Sequence, residues 1–278
     1  METKPDSITA TTELHNGVRM PLFGLGTYKT KDGDEVIRAV RAALDAGYRS
    51  IDTASFYDNE RGVGDAIRKS GIPREDLFVA TKLWNTEHGH DNACRAFDES
   101  RTRLGLDYID LYMIHWPVQG MFVETWGAME EICAKGHVRA IGVSNFTIRH
   151  MDELAGAGMA KPAVNQFELH PRLVQEDLIR YCAGRDIKVE SWAPLMRGRL
   201  NDDPRILDIA LKYGKTPPQV LLRWGLQRGF IVIPKSVNPA RIVENSQVFD
   251  FFLSKDEMAS INAMNRMERT GPDPDSFV

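Results

Sequence analysis

The chain is predicted to fold as a single (β/α)8 barrel, an eight-stranded parallel α/β TIM barrel, on three observations. Short apolar runs alternate with amphipathic stretches eight times along the sequence, the pattern of strand, helix, strand. Residues able to do chemistry stand at or just after the ends of several of those runs, the end at which barrel enzymes gather their active sites. The glycine fingerprint of the rival doubly wound sheet is missing. Gly24-Leu25-Gly26-Thr27-Tyr28-Lys29 lacks the third glycine, and Ile67 stands where Gly62-Val63-Gly64 would need one.

The elements follow in order. Asn16-Gly17, between the strand-like runs of Thr11 to Pro21, predicts a hairpin. It precedes the first barrel strand and is placed to cap the N-terminal end of the barrel. Barrel strands are expected near Phe23–Gly26, Arg49–Asp52, Phe78–Lys82, Ile109–His115, Ala140–Ser144, Ala163–Gln166, Lys188–Ser191 and Ile231–Pro234. Between them, Val36 to Leu44 repeats apolar residues at helical spacing and stops at Gly47, and Met121–Lys135 stops at Gly136. Thr216-Pro217-Pro218 reads as a helix start, with Thr216 capping and Pro217 in the first turn. Extra helices are expected after strands 7 and 8, at Pro204–Tyr213 and Ser254–Met264. No linker or shift in composition divides residues 1–278, so one domain is expected.

Composition narrows the function. With 35 basic and 39 acidic residues the net charge is −4, and no basic block points to nucleic acid. No apolar run has the length of a membrane span, and Met1 to Asp6 carries no apolar stretch of a secretory signal. The three cysteines, Cys94, Cys133 and Cys182, are far apart and read as free thiols in a reducing, cytoplasmic setting. The one close histidine pair, His88 and His90, reads as part of a solvated loop, because no third ligand accompanies it. No metal site is expected.

Four residues carry the chemistry. Asp52, Lys82 and His115 end successive strand-like runs, and Tyr57 follows in the loop after Asp52. A free phenol has a pKa of about 10 and is a slow proton donor at neutral pH. An adjacent ammonium would lower that value, and a carboxylate would hold the ammonium in the barrel mouth. Lys82 and Asp52 are the candidates, with His115 beside the reacting oxygen. Such a set suits protonation of a carbonyl oxygen that gains negative charge. Taken singly, each residue reads more readily as an ordinary loop or core position.

At this point the chain resembles the aldo-keto reductases along almost its whole length. The resemblance is carried by Gly47-Tyr48-Arg49-Ser50-Ile51-Asp52-Thr53-Ala54, Tyr57-Asp58-Asn59-Glu60, Thr81-Lys82-Leu83-Trp84, Asp110-Leu111-Tyr112-Met113-Ile114-His115-Trp116-Pro117, Ile141-Gly142-Val143-Ser144-Asn145-Phe146, Asn165-Gln166-Phe167-Glu168-Leu169-His170-Pro171 and Ile233-Pro234-Lys235-Ser236. It implies a (β/α)8 barrel that reduces carbonyl groups with NADPH. Tyr57 falls on the family's general acid, Lys82 and Asp52 on its pKa-lowering pair and His115 on its substrate-orienting histidine. The short loop after His115 and the ending Gly271-Pro272-Asp273-Pro274-Asp275-Ser276-Phe277 look like the short bacterial members, which include the 2,5-diketo-gluconate reductases.

The resemblance also implies the binding surfaces. Ser144, Asn145 and Gln166 fall on positions that hold the nicotinamide carboxamide, and Trp192 on the platform beneath the ring; a core tryptophan would read the same way. Gly26, Thr27, Asp52 and Leu195 line the cofactor cleft, with Arg197, Arg199 or neither near the pyrophosphate. Lys235, Ser236, Val237 and Arg241 fall on the 2′-phosphate site, whose dianion calls for ammonium, hydroxyl and guanidinium donors. Glu244 and Asn245 fall beside the adenine. Tyr28, Phe56, Trp84 and Trp116 are expected to line the substrate mouth. Small aldehydes and ketones, among them keto-sugar acids and methylglyoxal-type dicarbonyls, are the expected substrates of a monomeric enzyme. A cofactor-binding regulatory protein of the same fold is the alternative.

Overall fold

The computed structural model describes residues 5–277; Met1–Lys4, most of the stretch read for a secretory signal, and Val278 lie outside the described residues. A hairpin opens the chain, β1 (Thr11–Glu13) pairing antiparallel with β2 (Arg19–Pro21). Eight parallel strands follow: β3 (Gly24–Gly26), β4 (Ser50–Asp52), β5 (Phe78–Leu83), β6 (Ile109–Ile114), β7 (Val138–Ser144), β8 (Val164–Glu168), β9 (Lys188–Trp192) and β10 (Ile231–Val232). Each pairs with the next, and parallel bridges from Phe23 to Val232 and from Gly26 to Lys235 close the circle. The expected barrel is present, each strand within about two residues of its predicted span, the ordinary uncertainty of an element end.

Helices α1 (Asp34–Asp45), α2 (Glu60–Arg68), α3 (His90–Leu104), α4 (Phe122–Ala134), α5 (Ile148–Gly156) and α6 (Glu176–Gly184) follow the first six barrel strands. Each turns an apolar stripe onto the barrel, as α1 does with Val36, Ala39, Val40, Ala43 and Leu44. After β9 come two helices, α7 (Pro204–Tyr213) and α8 (Pro217–Gln227), and after β10 two more, α9 (Pro239–Ser246) and α10 (Lys255–Asn262). The extra helices therefore stand where expected. Thr216 forms a capping box with Gln219 at the head of α8. Among the described residues no helix is long and apolar enough to cross a membrane.

The hairpin sits at the N-terminal end of the barrel. Asn16 Nδ2 donates to the Arg139 carbonyl at the start of β7, and His15 Nε2 lies 3.2 Å from the Lys161 carbonyl just before β8. With that end covered, the opposite end is left open for chemistry. All three cysteines are free, Cys182 buried and the other two half-buried.

One local expectation is corrected. His88 is buried, at 1% exposure. Its ring nitrogens lie 3.0 Å from Thr125 Oγ1 and 3.2 Å from the Trp116 carbonyl, tying the loop after β5 to α4 and to the loop after β6. The polar neighbours Asn85 and Asp91 suggested solvent, but the histidine is a bracket between loops. Among the described residues no cluster of His, Cys, Asp or Glu could hold a metal ion.

Candidate active site

The C-terminal ends of the strands bring the four predicted residues together. Asp52 ends β4, Lys82 lies near the end of β5, His115 follows β6, and Tyr57 lies on the 3-10 turn Ser55–Tyr57 after β4. Lys82 is fully buried, and its ammonium donates to Asp52 Oδ1 (2.6 Å), Asp52 Oδ2 (2.8 Å) and the Thr53 carbonyl (2.9 Å). All three hydrogens are engaged. The ammonium lies 5.2 Å from the centre of the Tyr57 ring. The Tyr57 hydroxyl points to His115 Nε2, 3.4 Å away.

The expected acidification of the phenol is not found in this state. Burial raises the Tyr57 pKa well above its ordinary value, and the charges of Asp52 and Glu190 add to the rise. The reason is local: burial of the phenol outweighs the Lys82 charge, part of which is offset by the carboxylate it grips. Burial and the nearby Lys82 charge hold His115 well below the usual histidine range. The resting pair is a neutral phenol against a neutral imidazole.

A second row lies across the barrel. Ser144, Gln166 and Glu190 sit side by side on β7, β8 and β9 by strand register. Gln166 Nε2 donates to Asp52 Oδ2 (3.0 Å) and to Glu190 Oε2 (2.8 Å). Both amide hydrogens are thus used on carboxyl groups, and no described residue donates to Gln166 Oε1. Asn145, in a left-handed conformation (φ 63), donates from Nδ2 to the His115 carbonyl and to Ser144 Oγ, and its Oδ1 accepts from Trp192 Nε1 at 2.8 Å. Most of its side chain is therefore occupied inside the protein. Thr27 Oγ1 donates to the Asp52 carbonyl. Gly26 lets the last strand approach, since a Cβ there would fall 2.9 Å from the Ile233 carbonyl oxygen.

The rim beyond β9 and β10 carries the remaining predicted positions. Leu195 is half-buried just before a tight turn in which Met196 (φ 47) and Arg197 (φ 54) are left-handed, and both Arg197 and Arg199 are exposed. Lys235, Val237 and Arg241 are exposed and Ser236 half-buried. Asn238 Oδ1 caps α9 at Ala240 and Arg241, which sets the arginine in the first turn. Among the described residues the Arg241 guanidinium has no ion pair. Glu244 accepts from Thr216 Oγ1, and Asn245 is buried beside it.

Aromatic rings surround the opening. Phe56 stacks on Trp84 with centroids 3.7 Å apart, Tyr28 lies 5.0 Å from Tyr57, and Trp84 meets His115 edge-on. Tyr28 and Phe56 are largely exposed. Trp116 is closed off by Phe277, whose ring centre is 4.5 Å away. Sequence reasoning did not assign Phe277, because the C-terminal stretch has no periodicity that would place it over the barrel.

The tail reaches that position through a buried carboxylate. Glu168, at 1% exposure, accepts from His170 Nε2, from the Thr270 amide and hydroxyl, and from the Gly271 amide. These bonds hold its pKa below the usual carboxylate range against the effect of burial. Gly271 then packs on the indole of Trp192, where a Cβ would come within 2.5 Å of the ring. Arg149 pairs with Asp275 further along. Glu190 was legible only as a polar residue inside a strand-like run, an exception to apolar patterning that marks a buried site, and Glu168 lay just past the end of another.

Comparison with known proteins identifies the family. The sequence profile of the Aldo/keto reductase family matches residues 22–266. A glyoxal reductase of Bacillus subtilis is 49% identical, with 99% of each chain covered. The methylglyoxal reductase DkgA of Escherichia coli K12 is 46% identical over 95% of this chain and 97% of its own. Among solved structures, a mutant of Gox0644 in complex with NADPH superposes with a TM-score of 0.93 at 44% identity, covering 97% of this chain and 99% of that one. An aldo-keto reductase of Bombyx mori in complex with NADP gives a TM-score of 0.89 at 38% identity, with 96% of each chain covered.

Proposed function

Because this chain belongs to the aldo/keto reductase family, we propose that it reduces small aldehydes and ketones to alcohols with Tyr57 as proton donor. It is an NADP-dependent oxidoreductase with NADPH as cofactor, in keeping with relatives solved with NADPH or NADP. The observation that carries the reading is the convergence of Tyr57, His115 and the Lys82–Asp52 pair at one aromatic-lined opening.

The donor set suits the cofactor. A carboxamide needs both acceptors and donors, and Gln166 Oε1 and the Ser144 hydroxyl hydrogen are free to serve it. Lys235, Ser236 and Arg241 bring the three donor types that a 2′-phosphate requires to one exposed rim. Trp192, pinned by Asn145 and Gly271, offers a flat apolar face. When bound, NADPH supplies the hydride.

The protein's own groups handle the proton. His115, neutral and aimed at the same point as Tyr57, orients the substrate oxygen. As negative charge develops on that oxygen, the phenol gives up its proton to it. An ordinary phenol is a stronger acid than an alcohol, and the same burial bears on both groups, so the proton moves toward the developing alkoxide. The phenolate left behind faces Lys82, whose charge stabilises it more than it stabilises the resting phenol. Phe56, Trp84, Trp116 and Phe277 exclude water and limit the acceptor to compact carbonyls.

By likeness to the glyoxal and methylglyoxal reductases, small α-dicarbonyls are the leading substrates, with keto-sugar acids beside them. A monomer working in the cytoplasm completes the reading, supported by three unpaired thiols. The test is NADPH oxidation, followed at the nicotinamide band, with methylglyoxal, glyoxal, a nitrobenzaldehyde and keto-sugar acids. Turnover with the dicarbonyls is expected. A chain that binds NADPH but oxidises none of the panel above background would be the regulatory protein instead.

A further inference from the structure

We propose that Glu190 is a positioning residue that fixes the orientation of the Gln166 side-chain amide and so presents Gln166 Oε1 to the cofactor's carboxamide. The proposal rests on the reading above, in which Gln166 contacts that group. A primary amide can flip, exchanging donor and acceptor ends at little cost unless its neighbours decide between them. Here Asp52 sets the sense of the amide, and Glu190 holds its second hydrogen. Asp52 Oδ2 and Glu190 Oε2 both accept from the one nitrogen, at 3.0 and 2.8 Å. A flipped amide would turn its oxygen toward both and leave the Asp52 contact as a repulsion between acceptors.

Glu190 has no other evident duty. It is fully buried, and its Oε1 has no hydrogen-bond partner. It sits directly opposite Gln166 in the β8–β9 register and opposite Ile231 in the β10 register. The groups facing it from the barrel interior are Gln166, Asp52, Lys82 and Tyr57. A buried carboxyl with an orphan oxygen is costly, so its retention in the barrel needs a reason. Burial and the Asp52 charge push its pKa upward, toward the neutral acid. In that form it still offers a carbonyl oxygen to Gln166 and adds no second negative charge beside the Lys82–Asp52 pair.

A double-mutant cycle on NADPH binding tests the idea, with dissociation constants read from quenching of intrinsic tryptophan fluorescence and folding checked by thermal unfolding. Gln166→Ala is expected to weaken NADPH by about tenfold, the effect of one or two lost hydrogen bonds. Glu190→Leu should weaken it by about three- to fivefold, and the double variant should bind no worse than Gln166→Ala alone. Glu190→Gln, which keeps the accepting oxygen and the volume, should stay within twofold of the native protein. If Gln166→Ala weakens binding but Glu190→Leu leaves it unchanged, or the two effects add, positioning through Gln166 is overturned. A Glu190→Gln loss as large as that of Glu190→Leu overturns it as well. If Gln166→Ala leaves NADPH affinity intact, the carboxamide reading itself fails and the proposal falls with it.

Discussion

Replacing Tyr57 with phenylalanine removes one oxygen and separates chemistry from structure. In the resting protein that hydroxyl makes a single long contact, 3.4 Å to His115 Nε2. An O–H bond of that length is beyond the ordinary range and contributes below about 0.5 kcal/mol. For a chain of 278 residues this is a change in Tm of about 1 °C. The catalytic loss is of another order, because general-acid assistance is worth about 10²- to 10⁴-fold. Tyr57→Phe should therefore melt and bind NADPH like the native protein, while kcat for methylglyoxal falls by at least about 10²-fold. The native pH profile supplies an independent check. With the Tyr57 pKa raised and that of His115 lowered, neither group changes charge around neutrality. The rate should therefore show no inflection from Tyr57 or His115 around neutrality, and a change near pH 8 would belong to Glu190, whose carboxyl is pushed up to about 8 by burial and the Asp52 charge. Stopped-flow or steady-state NADPH oxidation reads both quantities. A Tyr57→Phe protein retaining a third or more of native kcat would refute the proton-donor assignment.

Three further outcomes are expected. Lys82→Met strands the Asp52 carboxylate in the barrel; breaking a buried pair costs about 3–5 kcal/mol, and the lower figure applies because Gln166 still donates to Asp52. That is a fall in Tm of about 5 °C. The stranded carboxyl would have a raised pKa in the folded variant, so the deficit should shrink as pH falls; an equal deficit at acid and neutral pH would argue against an uncompensated charge. Arg241→Ala, on the exposed rim, should raise the Michaelis constant for NADPH about tenfold and leave that for NADH unchanged; equal effects on both cofactors would remove the 2′-phosphate role. Glu168→Gln should loosen the C-terminal tail by about 1–3 kcal/mol, read as faster limited proteolysis near Thr270. The depressed pKa of Glu168 means its contribution is complete above the ordinary carboxylate value and lost as pH falls through the folded one, so native and variant should converge in acid.

The barrel was legible because each strand is a short apolar run bounded by turn residues, and each helix carries one apolar stripe. Thr216-Pro217 predicts its helix start to the residue, because capping is a local interaction. The four-residue cluster was legible because strand ends in a parallel barrel share one face. Three things were not. The hydrogen bonds that engage every Lys82 hydrogen, and hence the direction of the Tyr57 shift, depend on distances across the barrel that spacing does not encode. The course of residues 265–277 over the opening depends on Glu168, more than a hundred positions earlier in the chain. His88 looked solvated because its sequence neighbours are polar, while its actual partners lie on α4 and after β6.

The sealing of Lys82 bears on how the protein would withstand the reactive dicarbonyls proposed as its substrates. Reactive dicarbonyls modify proteins by condensing with accessible amines and guanidinium groups. Lys82 has no exposed surface and no unengaged hydrogen, so its amine is shielded from glycation. Lys235 and Arg241 stand in the open. With Lys235 and Arg241 in the proposed 2′-phosphate site, chemical ageing by such carbonyls would erode cofactor grip first, and saturating nucleotide would act as a preservative.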